Sequence, residues 1–144
     1  MPGAQEGADN GHLDIPDSGV GRLLATTSRD GHRLREVDGA GAPGVTLQAL
    51  ADPAGGWTVR IKASNFRWSP EGVNSPADLG AGHAHLYTPA AKVARSYGEW
   101  VFLSKAAAKP GDRLTVVLYA DDHTAWAVGG KVVEASVTLP VVSS

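Results

Sequence analysis

The sequence predicts an all-β protein. Three observations carry that expectation. Apolar and polar residues alternate with a period of two in four stretches, clusters of Pro, Gly and Asp separate them, and no segment keeps a 3.6-residue period. Such alternation turns one face of a strand into a core and leaves the other to solvent.

The stretches follow in order. Val45, Leu47 and Ala49 alternate with Thr46 and Gln48. Trp57, Val59, Ile61 and Ala63 alternate with Thr58, Arg60, Lys62 and Ser64. Leu114, Val116, Leu118 and Ala120 alternate with Arg113, Thr115, Val117 and Tyr119, and Val133, Ala135, Val137 and Leu139 with Val132, Glu134, Ser136 and Thr138. Shorter candidates are His83–Tyr87, Lys92–Arg95 and Trp100–Leu103. Turn signals stand at Asp52-Pro53-Ala54-Gly55-Gly56, Ser69-Pro70-Glu71-Gly72, Lys109-Pro110-Gly111-Asp112 and Gly129-Gly130. This spacing reads as an antiparallel β-sandwich, immunoglobulin-like or cupredoxin-like, over residues 45–144.

Residues 1–44 differ in composition. They contain no aromatic residue and nine of the eighteen glycines, with four Arg against seven Asp and Glu. Little apolar area is present there to offset ordering entropy, so 1–19 is expected as a flexible N-terminal tail. Asp30-Gly31 predicts a hairpin turn between arms Arg22–Thr27 and His32–Val37, followed by a linker over 38–44. The first residues lack the charged start, apolar stretch and cleavage site of a secretory leader. A loose acidic segment ahead of a β-domain suits a mature exported protein, periplasmic or extracellular, whose leader has been removed. A cytosolic protein is the alternative.

Composition removes several function classes. Thirteen Lys and Arg against fifteen Asp and Glu give a formal net charge of −2, which argues against a nucleic-acid partner. No apolar run reaches a membrane span of roughly 20 residues. With no Cys, and Met1 the only Met, there is no thiol nucleophile, disulfide, thiolate metal site or Met-rich Cu(I) site. A bound metal must use His, carboxylate or backbone oxygen.

One constellation carries chemistry. His83-Ala84-His85 places two imidazoles on one face of a strand, with Cα atoms roughly 6.5–7 Å apart, close enough to converge on one ion. His123, in Ala120-Asp121-Asp122-His123 just past a core strand, completes a three-His metal site if the fold brings it there. Asp121 or Asp122 then adds a ligand or orients a ring, and Asp122 is carried as the fourth expected ligand. His12 and His32 lie in the weak N-terminal region and are not assigned to the site. The competing reading is polar surface on an interaction module, or a carbohydrate-binding module with Trp68 and Trp126 as a stacking platform. No nucleophile elbow or phosphate-cradling glycine motif is present, and no substrate is indicated.

Gly82-His83-Ala84-His85-Leu86-Tyr87, the run Lys92 to Trp100 with its Tyr97-Gly98-Glu99-Trp100, Asp121-Asp122-His123, and Asn65-Phe66-Arg67-Trp68-Ser69-Pro70-Glu71 together resemble a group of small exported bacterial β-sandwich proteins, over roughly residues 45–140. The group is mostly uncharacterised, and the resemblance implies binding of copper or another divalent metal, in the periplasm or outside the cell. The leading expectation is metal handling or delivery without turnover, with zinc as the alternative metal; three His also leave an open coordination position, as a metalloenzyme would need. Two positions depart from the group's pattern. Phe102 stands where a His is usual, and Asp121 where an Asn is usual.

Overall fold

The computed structural model describes residues 15–141. Their strands are β1 (Arg22–Thr27), β2 (Arg33–Glu36), β3 (Gly44–Ala51), β4 (Trp57–Ser64), β5 (Arg67–Trp68) and β6 (Ala81–Tyr87). They continue as β7 (Lys92–Ser96), β8 (Trp100–Leu103), β9 (Arg113–Tyr119), β10 (Ala125–Val128), β11 (Lys131–Val132) and β12 (Glu134–Thr138). A short 3-10 turn covers Pro70–Gly72. Among the described residues no helix is long and apolar enough to cross a membrane.

The strands form two sheets. The larger runs β1-β2-β10-β9-β6-β5, with β11 on β10, β12 on β9 and β7 on β6; the smaller is β3-β4-β8. Antiparallel pairing was expected throughout, yet β2 with β10 and β5 with β6 are parallel. Neither pair joins strands that follow each other through a tight turn, so hairpin geometry does not set their direction.

Alternation decides which side chains meet between the sheets. Trp57, Val59, Ile61 and Leu103 of the small sheet pack against Ala84, Leu86, Leu114, Val116, Leu118 and Trp126 of the large one. Burying a large apolar side chain stabilises by about 1.5–3 kcal/mol, so this layer is the main cohesive element. Trp57 also donates its indole N–H to the Pro140 carbonyl at 2.9 Å.

The central strands of the large sheet depart from the expectation of one buried face. All seven residues of β6 are buried, as are six of the seven in β9. A second apolar cluster on the outer face holds Leu34, Tyr87, Val117, Tyr119, Ala125 and Ala127, with Leu24 packed on it. Leu24 and Leu34 come from the β1–β2 hairpin, whose tip leans over this face. The hairpin is the one Asp30-Gly31 predicts: Ser28 N–H donates to the His32 carbonyl at 2.7 Å, and Gly31 adopts φ 81°. Its second arm is hydrogen-bonded to β10, so the hairpin belongs to the same sheet as residues beyond the expected boundary at 44.

The expected tail at 1–19 falls mostly outside the described residues, as does His12. The part that is described is not loose throughout, because the Asp17 carboxylate lies 3.0 Å from the buried Arg35 guanidinium.

Candidate metal centre

The β6 backbone lies unusually close to β9 at the start of the His-Ala-His run. Gly82 has φ 153°, and a Cβ there would sit 1.8 Å from the Tyr119 carbonyl oxygen. Only glycine allows that approach. It seats β6 in the register His83↔Tyr119 and His85↔Val117, which turns both imidazoles to the outer face beneath the hairpin.

His83 and His85 are both fully buried, and their Nε2 atoms are 3.2 Å apart. Two nitrogens bound to one tetrahedral ion at 2.0–2.1 Å stand about 3.3 Å apart, so the separation already suits a shared ion. His123 joins them from the β9–β10 turn. Its backbone is left-handed, φ 69°, and its N–H donates to the Ala120 carbonyl at 2.9 Å. One ligand nitrogen from each of His83, His85 and His123 lies within 4.8 Å of the others. The fold therefore brings the three expected histidines together.

Two of the three rings are oriented from behind. His85 Nδ1 faces Asp30 Oδ2 at 2.8 Å, so it carries the proton and leaves Nε2 with the lone pair. Burial works against the ionised Asp30, but hydrogen bonds from His85 and Tyr87, with Lys92 nearby, outweigh it and hold its pKa below the usual value. Tyr87 donates to the same oxygen at 2.9 Å, and its hydroxyl lies 2.7 Å from that of Tyr119, whose ring stacks on His85 at 4.2 Å. Burial pushes both phenols upward, so they stay protonated donors. His123 Nε2 meets Asn74 Oδ1 at 2.8 Å, which leaves Nδ1 as its lone-pair nitrogen.

His83 is the exception. Its Nδ1 is buried without a hydrogen-bond partner among the described residues. With His85 Nε2 as acceptor, His83 holds its proton on Nε2 and points it at His85. A cation here would be held by His83 and His85 through Nε2, with His83 then carrying its ring proton on Nδ1. Burial, and then the neighbouring imidazoles, lower the His83 pKa to about 2. Burial also lowers His85 to about 4, although Asp30 pulls the other way. Both rings are thus neutral across the physiological range, the state a metal requires.

The structure assigns Asp122 a different neighbourhood from the one expected for a fourth ligand. Its Oδ2 lies 2.8 Å from buried Arg35, and its Oδ1 accepts from the Thr124 hydroxyl at 2.6 Å. Asp122 and Arg35 together pin the turn that carries His123. Asp121 points elsewhere, accepting from Ser69 at 3.2 Å, with its other oxygen buried and without a hydrogen-bond partner among the described residues. Burial raises its pKa.

The sugar-stacking platform is corrected, because Trp126 is fully buried and donates its indole N–H to the Ala81 carbonyl at 3.2 Å. Trp68 is half-buried against Phe66. Phe102 lies opposite Thr58 on the solvent face of the small sheet. His83 and His85 sit on the other sheet, so Phe102 is not part of the cluster.

Sequence reasoning missed Asp30, Asn74, Arg35, Tyr87 and Tyr119 as supports, and it set His32 aside. His32 is in fact part of the cluster, its ring stacked on His123 at 5.9 Å and 5.7 Å from Tyr119. The Asp-Gly turn was the available signal, since it predicts where the hairpin folds, though not what it folds against. No family model matches the chain, and neither a curated protein nor a solved structure matches it.

Proposed function

We propose that this protein binds a divalent first-row transition metal through His83, His85 and His123. The observation that carries the reading is the convergence of three imidazole nitrogens within 4.8 Å, two of them on rings buried and neutral. Burying two imidazoles side by side is unfavourable unless something satisfies them.

Copper is the preferred metal and zinc the alternative, since an all-nitrogen site ranks Cu(II) above Zn(II). The β-architecture is read as a sandwich of immunoglobulin-like or cupredoxin-like type. The resemblance of the Gly82–Tyr87 and Asp121–His123 runs to small exported bacterial proteins supports a role outside the cytoplasm in metal handling or delivery. Nothing in the cluster indicates an organic substrate, so binding without turnover is the reading adopted.

The test is titration of chelator-treated protein with Cu(II) and Zn(II). One equivalent should bind, and both His83→Ala and His123→Ala should abolish tight binding. Affinity no tighter than about the micromolar range, or equal affinity in the variants, overturns the reading.

A further inference from the structure

The three-histidine group is not the whole of the imidazole cluster. His83 lies next to His85 and next to His123, with ring centroids 5.0 and 5.1 Å apart. His32 neighbours the same two rings from the other side, 6.5 Å from His85 and 5.9 Å from His123. The four rings thus close a circuit, His83–His85–His32–His123. Tyr119 adjoins three of them, with centroids 4.2 Å from His85, 5.7 Å from His32 and 6.0 Å from His83.

Two imidazoles on one tetrahedral ion at 2.0–2.1 Å have centroids about 5 Å apart. The two sides of the circuit that meet at His83 already have that length. The two that meet at His32 exceed it by roughly 1–1.5 Å. His32 is also placed differently from its neighbours. It sits on the hairpin, partly exposed, just before β2 and beside the Asp30-Gly31 tip, where a Cβ on Gly31 would meet nothing within 4 Å. The same tip is tied to the site through Asp30, whose carboxylate holds His85.

Resting on the metal reading above, we infer that His32 is the fourth ligand of the centre, a closing imidazole that the hairpin carries onto an ion already held by His83, His85 and His123. The ligand is a divalent transition metal with a preference for nitrogen donors. The three inner histidines form the preset part of the site. His32 supplies the closing ligand from the half-buried hairpin.

The experiment loads chelator-treated wild type, His32→Ala, His32→Asn and His83→Ala with one equivalent of Cu(II). It measures affinity by competition and counts imidazole nitrogens from their hyperfine coupling to the bound copper. Wild type should show four imidazoles. The His32 variants should show three and bind at least about 10-fold more weakly, because even outer-shell partners of metal ligands contribute 10–100-fold. Added imidazole should supply a fourth coupling in His32→Ala and leave the count unchanged in wild type, whereas a merely structural His32 would leave the same open position, and the same gain, in both. His32→Asn keeps a polar side chain at the turn and serves if the alanine variant does not fold. Unchanged affinity and nitrogen count in both His32 variants, with binding lost in His83→Ala, overturns this inference and leaves the three-histidine site standing. No tight copper in wild type overturns both.

Discussion

Asp30 and His85 stand 55 residues apart in the chain and 2.8 Å apart in the fold. The contact joins the tip of the N-terminal hairpin to the middle of the most buried strand. It fixes which nitrogen of His85 keeps its proton and which one faces His83. Carboxylate–histidine pairs of this kind set ring orientation and raise ligand basicity at metal sites.

Asp30→Asn removes the charge behind His85 while keeping a similar shape. Metal affinity should fall about 10–100-fold, with the stoichiometry unchanged. Competition titration of the variant against wild type checks this, and equal affinities would show that the contact serves only the hairpin.

Asp122 separates a ligand from a support. Asp122→Asn should leave the spectrum of bound Cu(II) unchanged and lower the stability of the metal-free protein. Removing one partner of a buried ion pair costs about 3–5 kcal/mol, and the asparagine should lose less because it retains a hydrogen-bonding oxygen. Urea denaturation together with the copper spectrum decides the point. A changed spectrum would return Asp122 to the coordination sphere.

The metal-free protein should lose stability as pH falls from 6.5. Folded His83 and His85 titrate near 2 and 4, against 6.5 for the ordinary side chain. Between pH 6.5 and 4 the unfolded chain therefore binds up to two more protons at these positions, which favours unfolding. Each such proton contributes at most about 1.4 kcal/mol per pH unit. Below pH 4 the contribution comes from His83 alone, and Asp30, with its lowered pKa, adds a further loss as its carboxylate is protonated. Above 6.5 the two histidines add no pH dependence. Urea denaturation at pH 7.5, 6 and 5 should show a steady decline, and a flat profile would mean that the two rings are not buried neutral.

Gly82→Ala should destabilise by more than about 1 kcal/mol, since the native φ disfavours a side chain and the added Cβ meets the Tyr119 carbonyl. Relaxation must part β6 from β9, so metal affinity should fall with stability. Thermal unfolding and titration of the one variant test both effects.

Much of this fold is legible in the sequence wherever a strand has one wet face. β4 is the plainest case, with Trp57, Val59 and Ile61 turned inward. β10 was not legible, because three of the four residues in Ala125–Val128 are buried and no alternation survives. The site divides in the same way. His83 and His85 are neighbours on one strand, and His123 follows a recognisable strand end. Asp30 and His32 reach the site only because β2 pairs with β10, a parallel pairing that no local pattern encodes. Arg35 reads as an ordinary surface charge until Asp17 and Asp122 are seen to close on it.

The most direct measurement is the X-ray absorption spectrum of the protein loaded with one equivalent of metal. The account predicts a shell of nitrogen at about 2.0 Å with the outer scattering of at least three imidazoles, lost in His83→Ala. An oxygen-dominated shell, or the same spectrum in His83→Ala, would contradict it.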